Sequence, residues 1–455
     1  MKYTTNYKFK KPEGTEPVNF DDINDSFDLI DETLRKQNDI LEDVDTMIKF
    51  NRNPTSDDID YDTGQLWFNE DTGGIYVLFK IGKDGSAIWR GVNNTELIYG
   101  VKIDLTNSNP ASAVTYIDDA VEMTAGSSAW DSMAIFKDIK PCVLKNGVVQ
   151  YYLNPNDFTK KADGSAADIT SGNDGDVMIE IPKTGFSITT NGNYIDVKVT
   201  DNPNNAAFKY YAHSRAAEGD RQKLYIGAYL GWNDGGKLRS LSGKTPTVDQ
   251  TIGTFRTQAQ ANGAGYDLVS FYPLTLLQCL YLIKYKNLDS QTALGQGYTS
   301  GSAAQSTGAT NTAGMCYGST STTSRIKLFG IEDFWGNVWE WIDGVFSNSA
   351  RNILTATDGF NDTGAGYTDQ GQGATADIGN YMSKPQGTTK RGFIAKEVSG
   401  SETTYFCDSA GLYASRVAAF GGSLIDASNA GAFRLSVDDS ADGSYADVAA
   451  RLMYL

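Results

Sequence analysis

The stretch that decides the fold of this chain is Gly330-Ile331-Glu332-Asp333-Phe334-Trp335-Gly336-Asn337-Val338-Trp339-Glu340-Trp341-Ile342-Asp343. It holds three of the seven Trp residues, and each indole removes a large apolar area from water when it is buried. Val338 and Glu340 alternate with Trp339 and Trp341, a period of two that predicts a strand with one face in a core. Gly336 and Asn337, just before this strand, favour a tight bend. We therefore expect a structural scaffold at Trp335, Gly336, Asn337, Trp339 and Trp341.

The segment from Trp335 to Trp341 resembles the Trp-Gly-Asn-Val-Trp-Glu-Trp segment of the formylglycine-generating-enzyme-like branch of the C-type lectin fold. That branch includes true enzymes and also variable receptor-binding proteins, which diversity-generating retroelements diversify in phages and bacteria. The resemblance implies an α+β chain with a C-type lectin-like C-terminal domain. It leaves a choice between an oxidase and a binding protein.

Composition limits the functions that the chain can have. With 455 residues, 40% of them hydrophobic and 11% aromatic, the chain is globular and long enough for more than one domain. Its 47 Gly residues suit a turn-rich β protein. A formal charge of -17 repels polyanions, so we expect no nucleic-acid partner. The sequence contains no run of about 18 apolar residues, so no membrane insertion is expected. The N-terminus has no apolar signal segment, so synthesis in a bacterial cytoplasm is expected.

The first fifty residues predict an attachment segment. Residues 1–18 contain Pro12, Gly14 and Pro17 and should form an extended arm. Apolar residues then recur in alternating steps of four and three, which predicts a coiled-coil helix after the arm, with a single surface helix as the alternative. Arm and helix together make residues 1–50 the predicted attachment and trimerisation segment. The seam consists of Ile23, Phe27, Ile30, Leu34, Leu41, Val44 and Ile48, with Gln37 at its one polar position.

This N-terminal block resembles the start of tail-fibre and baseplate-associated proteins of phages that infect Gram-positive bacteria. In those proteins a Lys-Pro-x-Gly-Thr-x-Pro-Val-Asn segment precedes an Asp- and Asn-rich helix. The resemblance implies attachment to a phage tail or baseplate protein, location in the virion tail, and a homotrimer. The matching residues are Lys11, Pro12, Gly14, Thr15, Pro17, Val18 and Asn19.

The remaining chain is predicted to contain a linker at 51–63, a small β-hairpin module at 64–96 and a ligand-binding domain at 97–455, whose part 97–215 is β-rich. Asp71-Thr72-Gly73, Lys83-Asp84-Gly85, Asn146-Gly147 and Asn191-Gly192 are predicted hairpin turns. Residues 295–325 and 358–376 are Gly-, Ser- and Thr-rich and should be long loops. Leu274–Tyr285 should be a buried helix. Predicted strands of the domain are Tyr99–Asp104, Cys142–Leu144, Val148–Leu153, Val177–Ile181, Tyr194–Val199 and Leu224–Leu230.

Residues 416–455 resemble the variable region of retroelement-diversified proteins. There a Gly-Gly-Ser turn, an Asn-Ala-Gly-x-Phe core and a terminal x-Arg scaffold alternate with exchangeable surface positions. The scaffold implied here is Gly421, Gly422, Asn429, Ala430, Gly431, Phe433 and Arg451; Leu424 stands where the family usually has Trp, and Ala450 where it has Gly. The implied ligand-binding positions are Leu424, Ile425, Asp426, Ser428, Arg434, Ser436, Asp438, Asp439, Asp442, Ser444, Tyr445 and Asp447.

The chemistry of this segment agrees with recognition, because Ser, Asp and Tyr are side chains that binding loops use. An ordinary polar surface loop is the alternative when the segment is considered alone. Asp438-x-Ser440-x-Asp442-Gly443 matches half of a calcium loop, but Ala449 stands where a bidentate Glu is required. We therefore expect no metal site here, while a structural calcium ion elsewhere stays open.

Catalytic motifs are absent or incomplete. Gly243-Lys244-Thr245 lacks the spacing of a phosphate-binding loop. His213 is the sole His, which excludes most zinc chemistry, and a structural role is expected for it. Formylglycine-generating enzymes need two active-site cysteines near the end of the domain, and Cys407 is alone in the last hundred residues. The four thiols, expected to be reduced and mostly buried, are Cys142, Cys279, Cys316 and Cys407.

These observations predict a phage tail-fibre receptor-binding protein without catalytic residues. It would bind a host cell-surface protein or glycan through its C-terminal face, and a trimer would gain avidity. Two alternatives stay open: a bacterial or prophage-encoded adhesin of the same fold, and an oxidase of the formylglycine-generating type.

Overall fold

A computed structural model of the protein describes residues 2–3, 10–11, 48–70, 75–81, 87–91, 96–215 and 218–455. The chain divides into two compact units, Met1–Thr95 and Glu96–Leu455. The described residues are mostly β, with three α-helices: α1 (Ile252–Gln260), α2 (Phe271–Tyr285) and α3 (Ser290–Ala293). None of the helices in the described ranges has the length and apolar character that a membrane crossing requires.

The first unit contains six strands in its described part. Four of them form a sheet in the order β3-β4-β5-β6, and β1 pairs with β2. The strands are β1 (Lys2–Tyr3), β2 (Lys10–Lys11), β3 (Ile48–Phe50), β4 (Leu66–Asn69), β5 (Ile75–Ile81) and β6 (Ala87–Gly91).

Trp67 is the buried centre of this small sheet. Phe50 stacks on its indole with ring centroids 4.4 Å apart, and the Arg52 guanidinium lies 4.9 Å from the ring. Ile48, predicted to end the coiled-coil seam, instead lies in β3 opposite Trp67, because its apolar side chain joins the sheet. The earlier seam residues and the predicted turns at 71–73 and 83–85 fall outside the described residues.

The predicted linker 51–63 is a loop folded onto the same sheet. Arg52 pairs with Asp58 through bonds of 2.8 and 2.6 Å, and the Ala87 N–H donates to the Ser56 carbonyl at 2.7 Å. Charged and polar residues of this segment thus bond one another and the hairpin.

The second unit contains three large sheets. Their orders are β13-β14-β7-β8, β11-β10-β9-β12-β17-β33-β20 and β25-β24-β23-β30-β31-β29-β26, and β32 pairs with β23 beside the third path. Small two-stranded ladders complete the unit. Its strands are β7 (Ile98–Asp104), β8 (Val114–Asp118), β9 (Lys140–Lys145), β10 (Val148–Asn154), β11 (Asp157–Lys161), β12 (Asp176–Pro182), β13 (Gly185–Asn191), β14 (Tyr194–Thr200), β15 (Ser214–Arg215), β16 (Gly219–Asp220), β17 (Lys223–Gly227), β18 (Trp232–Asp234), β19 (Lys237–Arg239), β20 (Tyr266–Leu268), β21 (Lys327–Leu328), β22 (Ile331–Glu332), β23 (Trp339–Ser347), β24 (Asn352–Thr355), β25 (Thr368–Gln372), β26 (Ile378–Tyr381), β27 (Lys384–Pro385), β28 (Ala395–Glu397), β29 (Ser409–Leu412), β30 (Arg416–Phe420), β31 (Leu435–Asp439), β32 (Val448–Ala449) and β33 (Leu452–Tyr454).

Helix α2 is the centre of the main core. All fifteen of its residues are buried, which agrees with a sequence that is apolar on nearly every side. It packs against β7 and β14 of the four-stranded sheet and against β23 of the eight-stranded sheet. Helix α2 thus packs between strands of the four-stranded sheet and strand β23 of the eight-stranded sheet.

Several predicted elements differ in detail. Leu224–Leu230 is a strand only to Gly227, the end of β17. The turn between β13 and β14 is formed by Gly192 and Asn193, one residue later than expected. The predicted loop 358–376 contains β25, whereas 295–325 has no helix or strand but buries Thr299, Thr307 and Thr310. The segment 295–325 is therefore packed into the domain although it has no regular secondary structure.

Candidate functional site

The bend before β23 anchors the C-terminal segment. Gly336 and Asn337 have φ values of 79° and 67°, and a Cβ on Gly336 would lie 3.0 Å from the Tyr298 backbone. The Asn337 amide donates to the Gln305 carbonyl at 3.1 Å, and its backbone carbonyl accepts from the Leu424 N–H at 3.0 Å. A side chain at Gly336 would therefore disturb the loop that this bend holds.

Strand β23 is buried on both faces, which corrects the expected single core face. Trp341 is fully buried, but Glu340 on the other face is only 4% exposed. Arg451, 1% exposed, bonds both Glu340 oxygens, with Nε–O distances of 3.1 and 2.9 Å, and donates to the Gly227 carbonyl. A paired charge can be buried where a lone one cannot. This pair ties β23 to the end of the chain.

An open groove of about 320 Å³ lies against the eight-stranded sheet. Strands β23, β26, β29, β31 and β32 contribute its walls, together with the loop after β31. Six of the twelve predicted ligand-binding positions line it: Arg434, Ser436, Asp438, Asp439, Tyr445 and Asp447. The C-terminal segment therefore brings half of its predicted positions to one concave site.

The other six predicted positions do not line the groove. Leu424 is 8% exposed and is no surface position, because its backbone bonds Asn337 and Gly301 within the framework. Ile425, in contrast, is 72% exposed. Asp426 bonds Arg434, and the Ser428 hydroxyl donates to Glu402 at 2.9 Å. Asp442 and Ser444 are exposed on the loop between β31 and β32.

Ser436 lines the groove but is only 8% exposed, so it too differs from the expected surface position. It lies in the middle of β31, where Ala419 of β30 and Gly411 of β29 flank it. The flanking strands leave little of this short side chain accessible to solvent.

The groove also contains residues that sequence reasoning did not assign to it. Trp339, expected in the scaffold, forms part of the groove and carries the Arg434 guanidinium 4.5 Å from its ring centroid. Tyr413 lies against Gly379, since a Cβ there would be 2.9 Å from the Tyr413 hydroxyl. No motif marks these positions, because β26 and β29 become neighbours of β31 only in the sheet. The residues missed are Trp339, Gly379, Ser409, Ala410, Tyr413 and Val448.

The groove holds an asymmetric set of charges. Arg434 Nη2 donates to Asp426 at 2.6 Å and Nη1 donates to the Asn429 carbonyl at 3.1 Å, while burial lowers the pKa of Arg434. Burial, followed by repulsion from Asp438, raises the pKa of Asp439 to about 6. Burial likewise raises the pKa of Asp438, although Arg434 opposes that shift. The Arg434 guanidinium is thus hydrogen-bonded to Asp426 and Asn429, whereas the carboxylates of Asp438 and Asp439 repel each other.

The Gly-Gly turn and Phe433 support the groove from behind. Gly421 and Gly422 have φ values of 95° and 81°, and a Cβ on Gly422 would lie 2.9 Å from the Ala430 Cβ. Phe433 is fully buried among aromatic rings, with Phe406 5.1 Å away between centroids. Its N–H donates to the buried Asp408 carboxylate at 2.7 Å. Asn429, half-buried, holds Arg434 through its carbonyl.

The remaining candidates for chemistry lie apart from the groove. His213 is fully buried, its Nε2 accepts from the Thr184 N–H at 3.2 Å, and burial lowers its pKa to about 3. Burial raises the pKa of Cys407, whereas Cys316 is half-buried. No group of three or more His, Cys, Asp or Glu side chains among the described residues is placed to hold a metal ion.

No protein-family model and no curated protein matches the chain. Among solved structures it is similar to the Major Tropism Determinant M1 Variant, with 14% identity, a TM-score of 0.27, and coverage of 87% of this chain and 94% of that one. The Major Tropism Determinant I1 Variant has 15% identity and a TM-score of 0.26, with coverage of 87% of this chain and 95% of that one. The Major Tropism Determinant P3c Variant has 13% identity and a TM-score of 0.26, with coverage of 89% of this chain and 98% of that one.

Proposed function

We propose that the groove is the ligand-binding face of a phage tail-fibre receptor-binding protein and that it performs no catalysis. Its ligand is a protein or glycan on a host cell surface, and the domain that presents it is of the C-type lectin-like kind. One observation carries this proposal: six positions predicted to exchange converge on one groove, while the predicted scaffold residues Gly421, Gly422, Phe433 and Arg451 are buried and do not line it.

The division between groove and framework supports a binding role. The framework residues are held by buried hydrogen bonds and core packing, so the groove residues can change without loss of the sheet. Aromatic rings and short polar side chains in the groove can contact a ligand at low cost in conformational entropy. The groove is open, so a ligand attached to a large surface can reach it.

The N-terminal part of the proposal concerns attachment. The heptad seam and the Lys-Pro-x-Gly-Thr segment support a homotrimer that joins a tail or baseplate protein. Three grooves on one particle would then convert weak single contacts into avid binding.

Sequencing the 3′ end of the gene across a population tests the proposed diversification. We expect adenine-templated substitutions between residues 425 and 447, because Asp, Ser, Tyr and Ile are all reachable from Asn codons by changing adenines and Leu424 is buried in the framework. Gly421, Gly422, Phe433 and Arg451 should be spared. A low and uniform substitution rate along the gene would contradict a diversified face.

A binding experiment tests the groove directly. Fluorescently labelled full-length protein is applied to a panel of bacterial isolates and staining is measured by flow cytometry. We expect the double variant Tyr413→Ala/Tyr445→Ala to lose staining, because both rings line the groove. The control is Tyr194→Ala, an exposed Tyr at the start of β14 outside the groove. Undiminished staining by the double variant would show that the protein binds cells through a surface other than the groove.

A further inference from the structure

The groove contains more negative charge than its own side chains neutralise. Asp438, Asp439 and Asp447 line it, and none of the three forms an ion pair with another residue of the ranges that the structure describes. Arg434, the cation that lines the groove, bonds Asp426 outside it. Three carboxylates therefore share a space of about 320 Å³ with one guanidinium that already pairs with Asp426. Arg416 also faces Asp438 and Asp439, but it forms no ion pair with either of them in the described ranges.

The position of the carboxylates is set by the sheet. Asp438 and Asp439 end β31, and the parallel neighbour β29 has Gly411 opposite Ser436. A Cβ on Gly411 would lie 3.1 Å from Asp438 Oδ2, so the missing side chain leaves room for this carboxylate against the sheet. The position of Asp438 thus depends on strand pairing and on a glycine in the neighbouring strand.

The aromatic rings of the groove are suited to the same kind of ligand. Trp339, Tyr413 and Tyr445 line the space together with the carboxylates. A guanidinium already lies on one of these rings, because Arg434 is 4.5 Å from the Trp339 centroid. Cations bind to the faces of Trp and Tyr rings, and more strongly where water is partly excluded. The chain thus shows within the groove the interaction that an external cation would make.

We propose that the groove receives the cationic end of a Lys or Arg side chain displayed by a protein on the host surface. The carboxylates of Asp438, Asp439 and Asp447 bind the ammonium or guanidinium, and Tyr413 and Tyr445 contact its aliphatic stem. Charge complementarity selects this occupant over a neutral glycan, since a sugar leaves the carboxylates unmatched. The net charge of -17 additionally attracts a basic partner.

This inference rests on the proposed function, because it assigns a ligand chemistry to the same groove. The test therefore uses full-length protein to select binders from a displayed library of short random peptides at neutral pH. Selected peptides are synthesised, and their affinities are measured by fluorescence polarisation. Each peptide is also made with its basic residues replaced by citrulline or acetyl-lysine, which keep the shape and remove the charge.

We expect selected peptides to share a Lys or Arg at one position, and its neutral replacement to weaken binding by about tenfold or more. The triple variant Asp438→Asn/Asp439→Asn/Asp447→Asn should lose the same peptides. The charge-matched control Asp157→Asn/Asp163→Asn/Asp369→Asn, which alters exposed carboxylates outside the groove, should keep them.

The outcomes separate this inference from the function on which it rests. Peptides without a shared basic residue that still lose binding to Tyr413→Ala/Tyr445→Ala would overturn the cation inference and leave the groove as the binding face. Peptides that bind all groove variants equally would overturn both. Failure to select any peptide, or equal losses in the two triple variants, would overturn the inference of a basic side chain on a protein.

Discussion

Buried charge distinguishes the residues that hold the fold from those that line the groove. Arg451 is buried and matched, because it bonds Glu340 and the backbone carbonyls of Gly227, Glu332 and Asp333. Asp439 is partly buried next to Asp438 and has no ion-pair partner in the described ranges. Removing one partner of a buried ion pair is strongly destabilising because it leaves an uncompensated charge, whereas a buried charge without a partner already opposes folding. The two residues therefore predict opposite mutational effects.

Replacing Arg451 should strongly destabilise the protein. Arg451→Met leaves Glu340 buried without a counter-charge, so the free energy of unfolding should fall by about 3–5 kcal/mol. Urea unfolding followed by Trp fluorescence measures the loss. The matched control is Lys384→Met, which breaks the exposed Lys384–Glu397 pair and should cost less than about 1 kcal/mol. Similar small losses of unfolding free energy in both variants would show that the buried Arg451–Glu340 pair does not stabilise the fold.

Replacing Asp439 should have the opposite effect on stability. The folded-state pKa is raised from 3.8 to about 6, so the stability present below about pH 4 is lost as pH rises through 6. Asp439→Asn removes this loss, and the free energy of unfolding should rise by about 1–2 kcal/mol at neutral pH. Urea unfolding across a pH series checks it, with no gain expected in acid.

The control for this pH series is Asp369→Asn. Hydrogen bonds, first from Asn352, lower the pKa of Asp369, so removal of its charge should bring no gain at neutral pH. A constant difference between wild type and Asp439→Asn at every pH would contradict the titration argument. A variant that is more stable but binds more weakly would mark Asp439 as a residue retained for the ligand.

At the scale of elements, the Gly-Gly turn after β30 sets where the groove cation lies. Gly422 has φ 81°, and a Cβ there would lie 3.0 Å from Arg434 Cδ as well as against Ala430. Glycine is needed both for the backbone angle and for the space. The turn thereby determines how β31 leaves the framework and how Arg434 reaches the Trp339 ring.

Gly422→Ala separates these two requirements when it is compared with Gly359→Ala. Gly359 has φ 65° and nothing within 4 Å of an added Cβ, so its substitution should cost only backbone strain, about 1 kcal/mol. Gly422→Ala adds a clash and should cost at least about twice as much. Thermal unfolding measures both variants. Equal losses would mean that Ala430 and Arg434 move aside freely.

At the scale of the whole molecule, the main question is the number of chains. Each unit has its own buried core, and the seam residues between Ile23 and Val44 lie outside the described ranges. A heptad seam with one polar position predicts chain association. Three copies of the groove would raise the avidity of binding to a surface that displays many ligands.

Light scattering on the purified chain should give three times the monomer mass of 49.3 kDa. Leu34→Asp/Leu41→Asp places two charges in the seam and should reduce the particle to single chains, because buried charges in a coiled coil are unpaired. The control is Lys36→Asp, which lies outside the seam. A single-chain mass for the unaltered protein would contradict the trimer.

The sequence by itself determined the local elements of this protein. The Gly336-Asn337 bend, the buried helix α2 and most hairpin strands follow from turn chemistry and hydrophobic period, which act between near neighbours. It also pointed to the last forty residues, seven of which line the groove, six of them at predicted ligand-binding positions. The sequence could not show that Leu424 is buried or that Glu340 finds Arg451, since such pairs form only when distant strands meet.

Tertiary structure alone decided the groove. Its second wall comes from Gly379 of β26, Ser409 of β29 and Tyr413 directly after β29. These strands lie near β31 only because the eight-stranded sheet orders β31-β29-β26. That order is set by the packing of each strand on the core around α2, a sum of many weak apolar contacts that leaves no short motif. The sequence therefore determines the chemistry of the individual residues, whereas their proximity at one site depends on how the strands of the sheet pack on the core.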